Sequence, residues 1–106
     1  MKVSIYRHSH SVLNPYWDIR FDTPIKEGFR AGVKILPGVL SASGSGSRVF
    51  IQLSGRNGVR PPFGSLLGLI AEFYADAEVI EVRVFANGMD MNKGRVAARI
   101  YPEHFN

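Results

Sequence analysis

The stretch "PPFGSLLGLIAEFYADAE", residues 61–78, decides the fold because its apolar residues recur with the spacing of an α-helix. These residues follow one another at i, i+3, i+4, i+7, i+11 and i+14, and they are Phe63, Leu66, Leu67, Ile70, Tyr74 and Ala77. This spacing places all of them on one face of a helix. Two prolines open the stretch, and proline suits a first helical turn, whose N–H groups have no partner within the helix. The sequence therefore predicts one amphipathic helix here.

A second stripe of this helix carries almost no side-chain bulk. It consists of Gly64, Gly68, Ala71 and Ala75. Glycine inside a helix costs about 1 kcal/mol relative to alanine, so the stripe predicts that something approaches the helix closely. The sheet backbone of the same fold is the first expectation, and a second copy of the helix or a partner is the alternative.

On both sides of this helix, apolar and polar residues alternate, which indicates β-strands because successive side chains of a strand point to opposite faces. The alternating segments are "KVSIYRH" (2–8), "YWDIRFD" (16–22), "FRAGVKIL" (29–36), "RVFIQLS" (48–54), "VIEVRVFA" (79–86) and "RVAARIY" (95–101). The predicted fold class is therefore α+β. It is a mainly antiparallel sheet of about six strands with one helix packed on one face, in the order β-β-β-β-α-β-β.

The glycine- and serine-rich stretch "SASGSGSRVF", residues 41–50, permits two interpretations. Glycine-rich loops bind phosphate where they open a helix, because backbone N–H groups and the helix dipole then converge on the anion. Here the next segment alternates as a strand, which argues against a phosphate loop. We therefore expect a mobile connection between two strands, with Arg48 at its exit as the residue best placed to contact a partner.

The length of 106 residues fits a single domain, residues 1–106, and leaves no room for a second. The absence of cysteine excludes a disulfide scaffold, a thiolate metal site and a cysteine nucleophile. No segment approaches the roughly 18 apolar residues of a membrane span, and the N-terminus has no apolar run of signal-peptide length. These features predict a soluble, cytoplasmic protein without membrane association, and no motif implies a cofactor.

Charge is unevenly distributed along the chain, whose net charge is +4. Residues 23–60 contain six basic residues and one acidic residue, whereas residues 61–90 contain five acidic residues and one basic residue. A partner could therefore meet two patches of opposite sign.

The width of the predicted sheet argues for association. Strands lie about 4.8 Å apart, so a sheet of about six strands is roughly 29 Å wide, whereas one helix covers only about 10 Å of it. The sheet must curl around the helix, pack against another subunit or present apolar surface to a partner. We therefore expect a protein partner or a homo-oligomer.

The first functional hypothesis is a small, non-enzymatic protein-interaction module. A cysteine-free single domain without a catalytic motif is similar in general character to immunity proteins, antitoxins and inhibitors, which bind and block a partner protein. Arginine is enriched at binding hot spots, and the acidic patch offers a second contact. The predicted partner-binding residues are Arg48, Arg56, Arg60, Glu72 and Asp76.

The alternative is an RNA- or DNA-binding module that uses the second face of the sheet. If the apolar positions point inward, the opposite face interleaves basic and aromatic residues, so that cations can meet phosphates while rings stack on bases. This face is predicted to carry Lys2, Tyr6, His8, Arg20, Arg30, Lys34, Arg48 and Phe50. Its main candidates for binding nucleic acid are Arg83, Phe85, Arg95, Arg99 and Tyr101.

Candidate catalytic groups are few. His8 and His10 point to one side if the first strand continues that far, and such imidazoles can ligate zinc or cleave RNA by acid–base chemistry. This short spacing often arises by chance, so we predict neither an enzyme nor a metal site, and a ribonuclease-like role for the two histidines stays open. Asp18 and Asp22 flank Arg20, which is expected to pair with them rather than leave them for a metal.

Overall fold

The computed structural model describes residues 1–8, 16–54, 62–84 and 95–104. The strands and helices in these ranges are, in chain order, β1 (Lys2–His8), β2 (Tyr16–Phe21), α1 (Phe29–Lys34), β3 (Val39–Ser45), β4 (Arg48–Leu53), α2 (Phe63–Phe73), β5 (Val79–Val84) and β6 (Arg95–Ile100). A 3₁₀ turn over Pro102–His104 follows β6. Neither of the described helices has the length and hydropathy that crossing a membrane requires.

The six strands form one sheet in the order β3-β4-β2-β1-β5-β6. Neighbouring strands are antiparallel except β1 and β5, which pair in parallel inside the sheet. Helix α2 stands between β4 and β5 in the chain, as the apolar spacing of that segment predicts. The α+β fold class is therefore confirmed, with a mainly antiparallel sheet of six strands and α2 as its main helix.

The third predicted strand, residues 29–36, is wrong because its first part forms α1. Two of its alternating apolar residues, Phe29 and Val33, also lie at i and i+4, and both are fully buried on the helix. The other two, Ala31 and Ile35, are exposed. The helical spacing therefore decides which apolar side chains pack. The third strand is β3 instead, which lies largely within the glycine- and serine-rich stretch.

The connection between β3 and β4 is a tight turn, so the expectation of a mobile loop is also wrong. The last residue of β3 pairs with the first residue of β4, which leaves only Gly46 and Ser47 in the turn. Gly46 has a φ of 59° and Ser47 does not have a positive φ, which is the pattern of type II′ turns. The carbonyl oxygens of Gly46 and Ser47 accept hydrogen bonds of 2.9 Å from the backbone N–H groups of Ile25 and Phe21. These bonds fix the turn to the chain between β2 and α1.

Both helices pack on the same face of the sheet. The largest fully buried side chains of their shared apolar cluster are Tyr74, Phe29, Ile5, Ile19, Ile51, Leu53, Leu66, Ile70 and Ile80. Tyr74 stacks on Phe21 with ring centroids 4.2 Å apart, and its hydroxyl accepts a hydrogen bond of 2.9 Å from the backbone N–H of Lys26. This residue therefore joins the end of α2 to the chain that leads into α1.

The small-residue stripe of α2 does not make the close approach expected of it. A Cβ atom added at Gly64 or Gly68 would have no neighbouring atom within 4 Å. Close approaches occur at other glycines. A Cβ at Gly32 would lie 3.2 Å from the side chain of Leu69, and one at Gly44 would lie 2.7 Å from a backbone oxygen of β4. The two helices therefore meet through a glycine of α1, and the stripe of α2 stays uncovered at these two positions.

Candidate functional site

The face of the sheet opposite the two helices, termed the open face, carries polar and aromatic side chains. Strand alternation turns them away from the core, and the register aligns most of them in two neighbouring rows. The first row, from β3 to β5, is Ser43, Phe50, Asp18, Tyr6 and Arg83. The second row, from β3 to β6, is Ser45, Arg48, Arg20, Ser4, Glu81 and Arg99. The helix-free side of this wide sheet is thus covered by its own polar groups.

Asp18 is a carboxylate buried on the open face, where its side chain is 0% exposed. Nη2 of Arg48 donates a hydrogen bond to Oδ2 of Asp18 at 2.5 Å, and Nη2 of Arg20 donates to the same oxygen at 3.3 Å. The hydrogen bond and the charge of Asp18 raise the pKa of Arg48, so this guanidinium stays charged. Asp18 therefore holds the guanidinium groups of Arg20 and Arg48 at the surface of the open face.

Glu81 organises a second group of cations on the same face. Its side chain is 9% exposed and forms ion pairs with Lys2 at 3.3 Å, Arg99 at 3.1 Å and Arg83 at 3.5 Å. Burial raises the pKa of the Glu81 carboxyl, but hydrogen bonds from Lys2 and Arg99 and the charge of Arg83 outweigh this effect and lower the pKa below its ordinary value. Glu81 is therefore ionised at neutral pH.

The two clusters leave the open face positively charged. In the described part of the chain they contain five cationic groups and two carboxylates, a surplus of three positive charges. The carboxylates are buried, whereas the side chains of Lys2, Arg48 and Arg99 are 51–56% exposed. A ligand would therefore meet the cations first, while the carboxylates below them fix the directions of their N–H donors.

Aromatic rings lie between these cations. Tyr16 and Phe50 stack with ring centroids 4.8 Å apart, and Phe50 is 39% exposed. The guanidinium carbon of Arg20 lies 4.2 Å from the ring centroid of Tyr6, a distance typical of cation–π contacts. The open face thus presents an exposed ring within a cationic surface.

Two hollows flank β3 at one edge of the sheet. The hollow on the open face measures about 310 Å³, and it is lined by Asp18, Ser43, Gly44, Ser45, Arg48 and Phe50. A groove of about 480 Å³ lies between α1 and the β3–β4 turn, and its charged lining residues are Lys26, Glu27, Arg30 and Lys34. Gly44 and Ser45 line both. Strand β3 therefore separates two hollows that both contain cations.

No match to this chain was found among protein-family models, curated proteins or solved structures.

The structure brings together two of the residues predicted to bind nucleic acid. Arg83 and Arg99 lie on neighbouring strands, and both form ion pairs with the same carboxylate. Tyr101 directly follows β6 and is exposed. Phe85 and the side chain of Arg95 lie outside the described residues.

Arg30 and Lys34 do not lie on the open face, contrary to the prediction. Because residues 29–34 form α1 and not a strand, both are exposed on this helix and line the groove beside β3. Seven of the remaining residues predicted for the open face are located there, and they are Lys2, Tyr6, Arg20, Arg48, Phe50, Arg83 and Arg99.

The residues predicted to bind a protein partner do not form one surface within the described ranges. Arg48 lies on the open face. Glu72 is exposed on α2, which packs on the other side of the sheet, and Asp76 is exposed in the turn that follows α2. Arg56 and Arg60 lie outside the described residues.

The structure does not test the ribonuclease-like alternative for the two histidines, because His10 and the side chain of His8 lie outside the described residues. Arg20 pairs with Asp18 as expected, whereas the carboxylate of Asp22 accepts a hydrogen bond of 2.9 Å from a backbone N–H of β1. Among the described residues, no three histidine or carboxylate side chains are grouped so that they could hold a metal ion.

Sequence reasoning identified the pairing of Asp18 with Arg20, but it missed that Asp18 and Glu81 organise the open face. Alternation places Asp18 and Glu81 on this face but does not reveal that cations from other strands bury them there. One available signal is that each acid precedes an arginine by two positions, Asp18 before Arg20 and Glu81 before Arg83. This spacing puts opposite charges side by side on one face of a strand.

Proposed function

We propose that the protein binds single-stranded nucleic acid on the open face of its sheet. The main support is the exposed ring of Phe50, which stacks on Tyr16 and lines a hollow together with the half-exposed guanidinium of Arg48. Proteins that bind single strands combine a positively charged groove with rings on which bases stack, and each stacked base contributes about 1–3 kcal/mol.

A single strand fits this surface better than a duplex does. Double-stranded DNA is commonly read by a helix or a β-ribbon that enters the major groove. Both described helices, however, pack against the opposite face of the sheet. Unpaired bases can be splayed out and stacked on an aromatic side chain, and Phe50 offers such a ring on the open face.

In this proposal the buried carboxylates position the cations and do not themselves contact the nucleic acid. Asp18 binds Arg48, and Glu81 binds Arg99 and Lys2. A guanidinium has five N–H donors, so an arginine that is paired with a carboxylate still has donors for a phosphate. The surplus of positive charge makes the affinity depend on salt, with a slope of about −0.7 per phosphate contact in a plot of log K against log salt.

Fluorescence anisotropy with a labelled oligothymidylate and a labelled oligouridylate, over a series of salt concentrations, tests the proposal. We expect R48Q combined with R99Q to weaken binding about tenfold or more at low salt, because two phosphate contacts are lost. F50A removes the exposed ring, and its expected cost of about 1–3 kcal/mol corresponds to a loss of roughly 5-fold to 150-fold.

The matched control is S65E combined with A75E. It makes the same change in net charge as R48Q with R99Q, but at exposed positions on α2 and in the turn that follows it. If both double variants lose the same affinity, binding depends on net charge alone, which would contradict a site on the open face. A protein that binds neither oligonucleotide at low salt would overturn the proposal. Thermal unfolding of each variant confirms that it is folded.

A protein partner, including a second copy of this chain, is the other outcome that these experiments can reveal. We propose a cytoplasmic location, which fractionation of the host cells tests. Affinity capture from the native host at moderate salt, with and without nuclease, tests for a partner. If nuclease treatment releases the molecules that are captured with the protein, the result supports the proposed function. A direct protein partner that survives nuclease treatment, together with absence of oligonucleotide binding, would favour the hypothesis of a protein that blocks another protein.

A further inference from the structure

Strand β3 is an edge of the sheet, and it consists of small residues where it passes between the two hollows. Ser43, Gly44 and Ser45 are all exposed. Gly44 and Ser45 line both the hollow on the open face and the groove beside α1. No bulky side chain of β3 therefore separates the two hollows at this point.

The groove beside α1 contains cations that the structure does not neutralise. Lys26, Arg30 and Lys34 line it together with one acid, Glu27. Within the described ranges, none of these three cations has a carboxylate oxygen within 4.0 Å, whereas every cation of the two open-face clusters has one. Clustered positive charge of this kind attracts a polyanion.

From these two features we infer that a single nucleic-acid strand on the open face continues over β3 and that its phosphates enter the groove beside α1. This inference rests on the proposed function. Bases stack on Phe50, and the nucleic-acid backbone crosses the sheet edge at Gly44 and Ser45. The next phosphates then contact Arg30 and Lys34. Serine hydroxyls commonly donate hydrogen bonds to phosphate oxygens, so Ser45 can contribute at the crossing.

A nucleic acid that crosses this edge gives a role to a segment whose composition is unusual for a β-strand. Glycine and serine are poor strand formers compared with β-branched and aromatic residues, yet they occupy most of β3. A large side chain at Ser45 would stand between the two hollows, whereas one at Gly44 would meet the backbone of β4 and the side chain of Ile25. Small residues leave this part of the edge without bulky side chains, so that a ligand can cross it.

Oligothymidylates of two lengths, about 4 and about 16 nucleotides, test the inference because they span the site sizes of single binding domains. R30Q combined with K34Q removes two charges from the groove and none from the open face. We expect the longer oligonucleotide to bind about tenfold more weakly and its salt slope to decrease in magnitude by about 1.4, the value for two phosphate contacts. The shorter oligonucleotide, which occupies only the open face, keeps its affinity.

The control is again S65E with A75E, which makes the same change in net charge outside both hollows. Equal effects of R30Q with K34Q on the two lengths, or no effect on the longer one, would overturn the inference and leave the proposed function in place. If the unsubstituted protein binds neither length, the proposed function itself fails. If R30Q with K34Q lowers the melting temperature, K26Q replaces it, since Lys26 lies outside both helices. This variant removes one charge, so the salt slope for the longer oligonucleotide should change by half as much.

Discussion

Nη2 of Arg48 lies 2.5 Å from Oδ2 of Asp18, on the side of the sheet that both helices leave uncovered. The carboxylate of this pair is fully buried, while about half of the arginine side chain remains exposed. An arginine side chain carries about 2 kcal/mol of rotamer entropy, and pairing it with a fixed carboxylate removes part of this freedom before a ligand arrives. The pair therefore connects the stability of the sheet with the direction of an exposed cation.

Asp18→Asn removes this charge while it preserves the shape of the side chain. We expect it to lower the free energy of unfolding by about 1–3 kcal/mol, because a hydrogen bond to a charged group contributes about 1.5–3 kcal/mol. Urea unfolding measures the change. Asp76→Asn is the control, since Asp76 is exposed, and it should change stability by less than about 0.5 kcal/mol. Equally small effects would show that the buried pair contributes no more than an ordinary surface pair.

Acidification should destabilise the protein, and Glu81 should account for part of the loss. Because the folded state lowers the pKa of Glu81, the unfolded chain takes up a proton at a higher pH than the folded protein does. The stabilisation is therefore complete above the ordinary pKa of 4.5 and is lost as the pH falls through the lowered value. Urea unfolding of the unsubstituted protein and of E81Q should show a difference at neutral pH that shrinks on acidification. A difference that does not vary with pH would contradict this assignment.

Gly44→Ala should destabilise the fold although it enlarges one residue by a single methyl group. The new Cβ atom would lie 2.7 Å from the carbonyl oxygen of Arg48 and 2.9 Å from Cδ1 of Ile25. A backbone oxygen in a paired strand cannot move aside easily, and overpacking of this kind costs about 1–3 kcal/mol. Ser43→Ala, at the neighbouring exposed position, is the control. Similar melting temperatures for the two variants would argue against a close approach at Gly44.

Gly68→Ala should have the opposite effect. Nothing lies within 4 Å of a Cβ atom at this position, so alanine brings its higher helix propensity without a clash, and a gain of about 0.5–1 kcal/mol is expected. Differential scanning calorimetry and sedimentation together measure stability and oligomeric state. A loss of stability, or a change from oligomer to monomer, would mean that another molecule covers this part of α2 in solution.

Most of the fold follows from short-range patterns in the sequence. The segments predicted for β1, β2, β4, β5 and β6 each begin at the residue where the strand begins. The exceptions have physical causes. Helix α1 is so short that its helical face contains only Phe29 and Val33, and these two residues fit a strand pattern equally well. Most residues of β3 are small, so it shows almost no alternation, and its place in the sheet depends on pairing with β4.

The candidate site is less predictable because it depends on strand order. Alternation identifies which residues share the open face, but only the register places Glu81 beside Lys2 and Arg99. The parallel pairing of β1 with β5 joins segments from opposite ends of the chain, and no local pattern encodes such a pairing. The burial of Asp18 likewise depends on Arg48, which comes from a strand on the far side of α1 and β3 in the chain.

The parallel pairing of β1 with β5 also determines when the protein can fold during its synthesis. Lys2 pairs with Val79 and Arg7 with Val84, so β1 must wait for β5, which is synthesised later. The entropy of closing so long a loop is lost before the contacts between the two strands can stabilise the fold. Folding is therefore slow. Until then, one edge of β1 remains unpaired, and unpaired strand edges are prone to aggregate. A chaperone that binds nascent chains would therefore find its target at β1.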